Sequence, residues 1–264
     1  MQQLLLGRLM KHFLLSSAAL VALTAAAHAA DLPLRAAPRA FVAAQAYNWS
    51  GFYIGAHLGG GWFNNQNVSV ADPAGATFPA GYVFTPQDGD GFIGGGQAGY
   101  NAQFGKLVVG VEGDFSGMNL RGTSESESVR LPGRYSVQTV DTNWVGMATA
   151  RVGYAADNIL LYAKGGWAWA DVDARNLTYA PAGALVATST GSETRDGWTI
   201  GAGAEWGFLP NWSLKAEYNY IDFGRATVNR TAFNTPAFTG TVEHVQRKSD
   251  FDMHLVKVGV NFRM

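Results

Sequence analysis

Two sets of residues in this chain have the types and spacing that acid/base or nucleophilic chemistry requires. Glu112 and Asp114 lie two residues apart, so on a strand both carboxylates share one face, as a pair for proton transfer or metal binding would. Glu243, His244 and Ser249 supply a carboxylate, an imidazole and a hydroxyl, which are the groups of a hydrolase triad. Facing cations explain the first set as structural ion pairs, and the second set falls in a predicted loop.

A glycine-rich segment and a histidine give weaker signals. Residues 94–99 read GGGQAG and match the dinucleotide-binding pattern by letter, but that pattern must open a helix, and here residues of period two surround it. His57 has no second histidine at metal-ligand spacing. We therefore predict no catalytic, cofactor-binding or metal-binding residues, and we predict that the protein is not an enzyme. A lipid-modifying enzyme, or a binder of a haem-type ligand that uses His57 or loop residues, is the least favoured alternative.

The elements that carry these residues are segments in which apolar and polar side chains alternate. In residues 211–224, NWSLKAEYNYIDFG, the apolar face begins at Trp212 and ends at Tyr220. Eight to ten residues of strand, tilted by about 40°, climb on the order of 20 to 25 Å, the height of the lipid-facing band of an outer-membrane barrel. The aromatic residues predicted to mark the two membrane interfaces are Phe52, Trp62, Phe92, Tyr100, Trp144, Tyr154, Trp198, Trp206, Trp212, Tyr220 and Phe262.

Eight segments of this kind predict an all-β fold, an eight-stranded antiparallel transmembrane up-and-down β-barrel. The predicted strands are 51–62, 91–101, 106–116, 139–154, 159–170, 196–207, 212–223 and 252–264. Short links at 102–105, 155–158 and 208–211 alternate with long connections at 63–90, 117–138, 171–195 and 224–251. This alternation is typical of short periplasmic turns opposite long outward loops, with both chain ends periplasmic.

Period two divides each segment into a lipid-facing and an inward face. The lipid-facing side carries seven of the eight tryptophans, and Trp49, just before the first segment, is the exception. Every charge in the body of a predicted strand falls on the other face, with Tyr53, His57 and Gln97. Since eight strands enclose an interior just wide enough for side chains, we predict a salt-bridged lumen. Its ionic network comprises Glu112, Asp114, Arg151, Lys164, Glu205, Lys215, Glu217, Lys257 and Arg263.

Composition and the first residues indicate an exported chain. Of 264 residues, 33 are glycine, 12% are aromatic and only 15% are charged, which favours strands and turns. Cysteine is absent and the net charge of −1 shows no basic stripe, so a disulfide framework and nucleic-acid binding are not expected. Arg8, Lys11, an apolar run and an A-x-A site predict a signal peptide at 1–29, then a flexible periplasmic lead-in at 30–48 and a barrel domain at 49–264.

Five stretches carry a resemblance to a known family. They read WSGFYIGAHLGGGW, GGGQAGYNAQFGKLVVGVEGDF, WVGMATARVGYAADNILLYAKGGWAWA, NWSLKAEYNYIDFG and HLVKVGVNFRM. The chain resembles the small eight-stranded outer-membrane β-barrel proteins of alphaproteobacteria, called outer-membrane immunogenic or porin-family proteins and related to the OmpA-type barrel. Those proteins usually finish on phenylalanine, whereas this chain ends Phe262-Arg263-Met264. The resemblance therefore implies either less efficient insertion or that Phe262 replaces the terminal phenylalanine.

The resemblance implies an outer-membrane location, assembly by the barrel-insertion machinery, and a structural or surface-interaction role in the envelope. Its long loops would meet lipopolysaccharide, host or surface molecules. We do not expect the open pore that the family name porin suggests, because nine ionic side chains crowd the predicted interior. A narrow ion or small-solute channel, with selectivity set by those charges, is the alternative. No cofactor is expected.

Overall fold

The alternating segments of the sequence become eight long β-strands. The computed structural model describes residues 47–71, 85–127, 133, 135–232 and 243–264. Across these residues, no helix is long and apolar enough to cross a membrane. The strands are β1 (Gly51–Ala71), β2 (Gln87–Phe104), β3 (Leu107–Glu127), β4 (Tyr135–Ala156), β5 (Ile159–Tyr179), β6 (Leu185–Leu209), β7 (Trp212–Ala232) and β8 (Glu243–Arg263).

The strands close into a barrel in the order of the chain. Each strand pairs antiparallel with the next, and β8 returns to β1, where Tyr53 lies opposite Arg263. From the turn end up to the pair of Trp198 on β6 with Asp222 on β7, closure leaves no edge strand. A sheet in lipid requires this, because its backbone groups find no water there. The predicted eight-stranded antiparallel barrel is confirmed.

Three two-residue turns lie at one end of the barrel, here called the turn end. They join β2 to β3, β4 to β5 and β6 to β7. Gly105 and Asp157 adopt positive φ angles of 63° and 52°, the backbone that tight hairpin turns require. The other four connections lie at the opposite end, here called the loop end.

The predicted strand bounds are close to the structure at the turn end and wrong at the loop end. The strands have 18 to 25 residues, and the connection between β5 and β6, predicted as 171–195, is only residues 180–184. Much of the other predicted long connections also lies in strands. On their outer face these loop-end parts carry mostly polar residues, so they lack the lipid-facing apolar stripe that marks the predicted strands. A bulge between Thr142 and Val145 on β4 also moves the inward set from even to odd residues.

The barrel contacts begin before β1. Tyr47 and Trp49 are buried at the turn end, although residues 30–48 were predicted to be a flexible lead-in. Tyr47 and Asn48 therefore belong with the barrel. The rest of that lead-in, residues 30–46, and the predicted signal peptide lie outside the described residues.

The outer and inner faces follow the predicted alternation in the half of the barrel nearer the turn end. Leu58 and Phe92 on the outer face are 70% and 80% exposed. Inward side chains such as Tyr53 and Lys215 are 1% and 0% exposed. The core of this protein is therefore its lumen, which is filled by side chains from all eight strands.

A closed lumen as the candidate functional site

The nine ionic residues predicted for the lumen all lie inside the barrel, each at most 5% exposed. Lys164 Nζ lies 3.0 Å from Glu112 Oε1 and 2.7 Å from Glu217 Oε1. Lys257 Nζ lies 2.7 Å from Asp114 Oδ2 and 3.4 Å from Glu217 Oε1. Because a buried charge is costly without a partner, this pairing allows the charges to remain in the interior. We call these nine residues the ionic layer.

Cations and anions of the ionic layer share partners, so it is a network instead of a set of separate pairs. Lys215 Nζ is 3.6 Å from both Glu112 Oε2 and Glu217 Oε2, without a hydrogen bond of good geometry. Arg151 Nη1 is 3.6 Å from Glu112 Oε2 and 3.5 Å from Glu205 Oε2. Removing one member would leave several neighbours undercompensated.

A tyrosine, a glycine and a glutamate on three neighbouring strands form a repeated unit in this network. Tyr53 on β1 faces Gly99 on β2, which faces Glu112 on β3. Tyr53 Oη donates a hydrogen bond of 2.8 Å to Glu112 Oε2. A Cβ on Gly99 would lie 2.3 Å from Tyr53 Oη, so the ring reaches the glutamate only because residue 99 has no side chain.

The second copy of this unit lies in the other half of the barrel. Tyr162 on β5 faces Gly203 on β6, which faces Glu217 on β7. Tyr162 Oη donates a hydrogen bond of 2.8 Å to Glu217 Oε2. Arg151 lies between the two copies, with its Cζ 4.6 Å from the Tyr53 ring centroid and 5.1 Å from that of Tyr162. Sequence reasoning missed this repeat, because it depends on the register of three strands.

His57 is satisfied within the polar lumen. Its Nδ1 is 2.6 Å from Gln97 Oε1, and its Nε2 is 2.8 Å from Ser116 Oγ. Gln97 Nε2 donates a hydrogen bond of 2.7 Å to Asn261 Oδ1. The Oε1 of Gln97 is therefore the atom that accepts from His57. Asp114 Oδ2 lies 3.6 Å from His57 Nδ1, so the residue types of a triad meet here. All four side chains named with His57 are buried, and the geometry is that of a structural polar cluster.

The structure places the two other candidate sets of residues on strands β3 and β8. Glu243, His244 and Ser249 lie in strand β8 and not in the predicted loop, and their side chains are outside the described part. Glu112 and Asp114 are held by lysines, as described above. In the described ranges, no group of three or more His, Cys, Asp or Glu side chains could hold a metal ion.

An apolar layer crosses the lumen on the loop-end side of the ionic layer. Phe251 packs against two other phenylalanines, with ring centroids 5.2 Å from Phe63 and 5.5 Å from Phe223. The sequence contains a signal for it, because period two continues past the aromatic ends with apolar residues such as Ile221 and Phe223 facing inward. The members are Phe63, Ile93, Leu120, Val140, Val145, Met147, Ala168, Ala170, Val172, Ile221, Phe223, Phe251, Met253 and Leu255, each at most 7% exposed.

The outer face carries aromatic residues at two levels. Near the turn end, Phe52 contacts Tyr100 and Trp212 contacts Phe262, with centroids 4.8 Å and 5.0 Å apart. At the upper level, on the loop-end side, Trp198 packs edge-on against Tyr220. All eleven aromatic residues predicted for the interfaces are exposed or half-buried on this face. The paired spacing missed further members, namely Phe104, Phe115, Trp167, Trp169, Phe208 and Tyr218.

A closed antiparallel barrel with an apolar, aromatic-flanked outer face and a charged interior defines an integral β-barrel protein of the outer membrane. The chain matches the family described as outer membrane protein beta-barrel domain over residues 15–263, and it belongs to that family. The protein is therefore located in the cell outer membrane, in contact with its lipids.

Two curated relatives agree with this assignment. The chain is 33% identical over 260 residues to the 31 kDa outer-membrane immunogenic protein of Brucella melitensis, covering 96% of this chain and 100% of the relative. It is 32% identical over 178 residues to the 22 kDa outer membrane protein of Rhizobium leguminosarum bv. viciae, covering 67% and 65%. These names describe outer-membrane proteins and not enzymes.

A solved structure shares the fold. The outer membrane protease OmpT of Escherichia coli aligns with a TM-score of 0.50 at 9% identity, covering 83% of this chain and 98% of that one. At this identity the similarity supports the fold alone.

Proposed function

We propose that this protein is a non-conducting structural barrel of the outer membrane that carries an extended surface for interactions outside the cell. The observation that carries the proposal is the apolar layer, in which fourteen buried side chains of the described residues, from seven of the eight strands, pack together inside the barrel. An apolar constriction without water is a barrier to ions, because nothing in it replaces their hydration shell. The ionic layer then stabilises the interior instead of forming a selectivity filter.

The proposed membrane position places the two aromatic levels at the two interfaces, where the amphipathic rings of Trp and Tyr are favoured. The turn end then faces the periplasm, together with both chain ends. Residues 1–29 would act as the signal peptide, and the barrel-assembly machinery would insert the mature chain. The three two-residue turns at the turn end support this orientation, because outer-membrane barrels have short periplasmic turns and longer outer loops.

The surface role is supported by the length of the strands. β5 continues from Trp169 to Tyr179, and β3 from Phe115 to Glu127, beyond the upper aromatic level. Ten residues of tilted strand rise on the order of 25 Å, so the barrel would project well past the lipid. Relatives are named immunogenic, as expected for exposed proteins. Lipopolysaccharide and host or surface molecules are the proposed partners of this projecting part.

Conductance in a planar bilayer tests the proposal. The purified, refolded barrel is expected to insert without a steady current. A steady conductance that changes on Lys215→Met or Glu217→Gln would instead establish the narrow ion channel, because current would then pass the ionic layer. Insertion must be confirmed independently, by protease protection of the same preparation.

A further inference from the structure

Two of the described residues that precede β1 are buried at the turn end of the barrel. Trp49 is 0% exposed and Tyr47 is 9% exposed, and their ring centroids are 4.5 Å apart. They form one buried cluster with side chains from three strands of the wall, and its other members are Val108, Ala155, Leu160 and Tyr162. This cluster is separate from the apolar layer, and the ionic layer lies between the two.

Hydrogen bonds attach this segment to both strands that flank β1. Trp49 N donates a hydrogen bond of 2.8 Å to Gln103 Oε1 of β2, and Gln103 N donates one of 3.0 Å to Ser50 Oγ. On the β8 side, Arg263 Nη1 donates a hydrogen bond of 3.1 Å to the backbone oxygen of Asn48. The Arg263 Cζ lies 5.2 Å from the Tyr47 ring centroid and 4.8 Å from that of Trp49, within the range of a cation–π contact.

A glycine on β6 leaves space in the barrel wall for the ring of Tyr47. A Cβ on Gly207 of β6 would lie 2.3 Å from Tyr47 Cδ2, so the Tyr47 ring occupies the place of a missing side chain. The segment therefore touches strands on opposite sides of the barrel, and these contacts exist together only after the barrel has closed. Trp49 Nε1 and Arg263 Nε are buried without a hydrogen-bond partner among the described residues. Trp49 Nε1 could donate to water if the segment left this place, so the unmade hydrogen bond lowers the free-energy cost of opening.

We infer that Tyr47, Asn48 and Trp49 form a plug that closes the turn end of the lumen and can open while the strands stay paired. The ionic layer is then enclosed between two seals of different kinds. The apolar layer belongs to the wall itself, whereas the plug is a chain segment outside the sheet. This inference goes beyond the proposed function, because the apolar layer alone suffices to block a current.

Cysteine accessibility tests the plug, since the chain contains no native cysteine. Val108→Cys places a thiol in the plug cluster, where residue 108 is 1% exposed, and Val145→Cys places one in the apolar layer, where residue 145 is 0% exposed. Each is combined with Tyr47→Ala/Trp49→Ala and treated, folded in detergent, with a trimethylammonium methanethiosulfonate. With the plug removed, the thiol at position 108 is expected to react at least about tenfold faster, and the thiol at 145 to stay protected.

The matched control is Phe52→Ala/Trp212→Ala, which removes two outward aromatics at the same end and should leave position 108 protected. Equal reactivity at position 108 with and without the plug residues, in chains that still show folded migration, would overturn the inference. Reaction at position 145 would contradict the proposed function instead. Should the double variant not fold, Gly207→Ala displaces the Tyr47 ring without removing it, and the same faster reaction at position 108 is expected.

Discussion

Gly99→Ala should destabilise the barrel, although replacing glycine in a strand by alanine usually helps. The new Cβ would lie 2.3 Å from Tyr53 Oη and 2.5 Å from Tyr53 Cζ, so the ring must move away from Glu112. Losing a hydrogen bond to a buried charge costs about 1.5 to 3 kcal/mol. Alanine returns about 0.5 to 1 kcal/mol through backbone entropy. The free energy of unfolding should therefore fall by about 1.5 kcal/mol.

The control for this substitution is Gly113→Ala. Residue 113 is an exposed glycine on the outer face of β3, and a Cβ there has no neighbour closer than 4.0 Å. This variant should be neutral or slightly stabilised. The assay is urea unfolding in detergent micelles, followed by tryptophan fluorescence. Gly203→Ala should repeat the loss seen at residue 99, because its Cβ would lie 2.6 Å from Tyr162 Oη. Equal stabilities of the variants at 99 and 113 would refute the role of the tyrosine–glycine–glutamate unit.

Other predictions concern the ionic layer and the fold. Lys257→Met removes the partner 2.7 Å from Asp114 and should lower the free energy of unfolding by about 3 kcal/mol, measured by the same urea titration. Arg121→Met breaks a surface pair with Asp141, in which the arginine side chain is 71% exposed, and should cost less than about 1 kcal/mol. Equal losses would contradict the network. On detergent gels, unboiled protein should migrate differently from boiled protein, and identical migration would argue against a closed barrel.

The sequence predicted the faces of the barrel because each face depends only on local alternation. Lys215 and Glu217 lie on the opposite face of their strand from Trp212 and Leu214. This holds whichever strands lie beside it. A charge has only one tolerable side in a membrane wall, so the ionic residues were identifiable from the chain alone. Their partners were not, since the pair of Lys257 with Asp114 joins residues 143 apart.

The apolar layer and the full strand lengths could not be derived in the same way. Phe63, Phe223 and Phe251 come from three strands, and only the register of the closed barrel brings their rings together. The outer face of the strands near the loop end is mostly polar, so no outward apolar stripe indicates these parts. Trp49 was noted as the one tryptophan off the lipid face, but its contact with Arg263 depends on where the chain ends meet.

The closure of the lumen is tested most directly by single-channel recording on a pair of matched variants. Phe63→Ala/Phe223→Ala/Phe251→Ala removes the three phenylalanine rings of the apolar layer, whereas Phe52→Ala/Phe92→Ala/Phe115→Ala removes three exposed phenylalanines from the outer wall. Wild type and the outer-wall variant should show no steady conductance, and the inner variant, made together with Tyr47→Ala/Trp49→Ala, should show current steps. A steady current through the wild-type barrel would contradict the account.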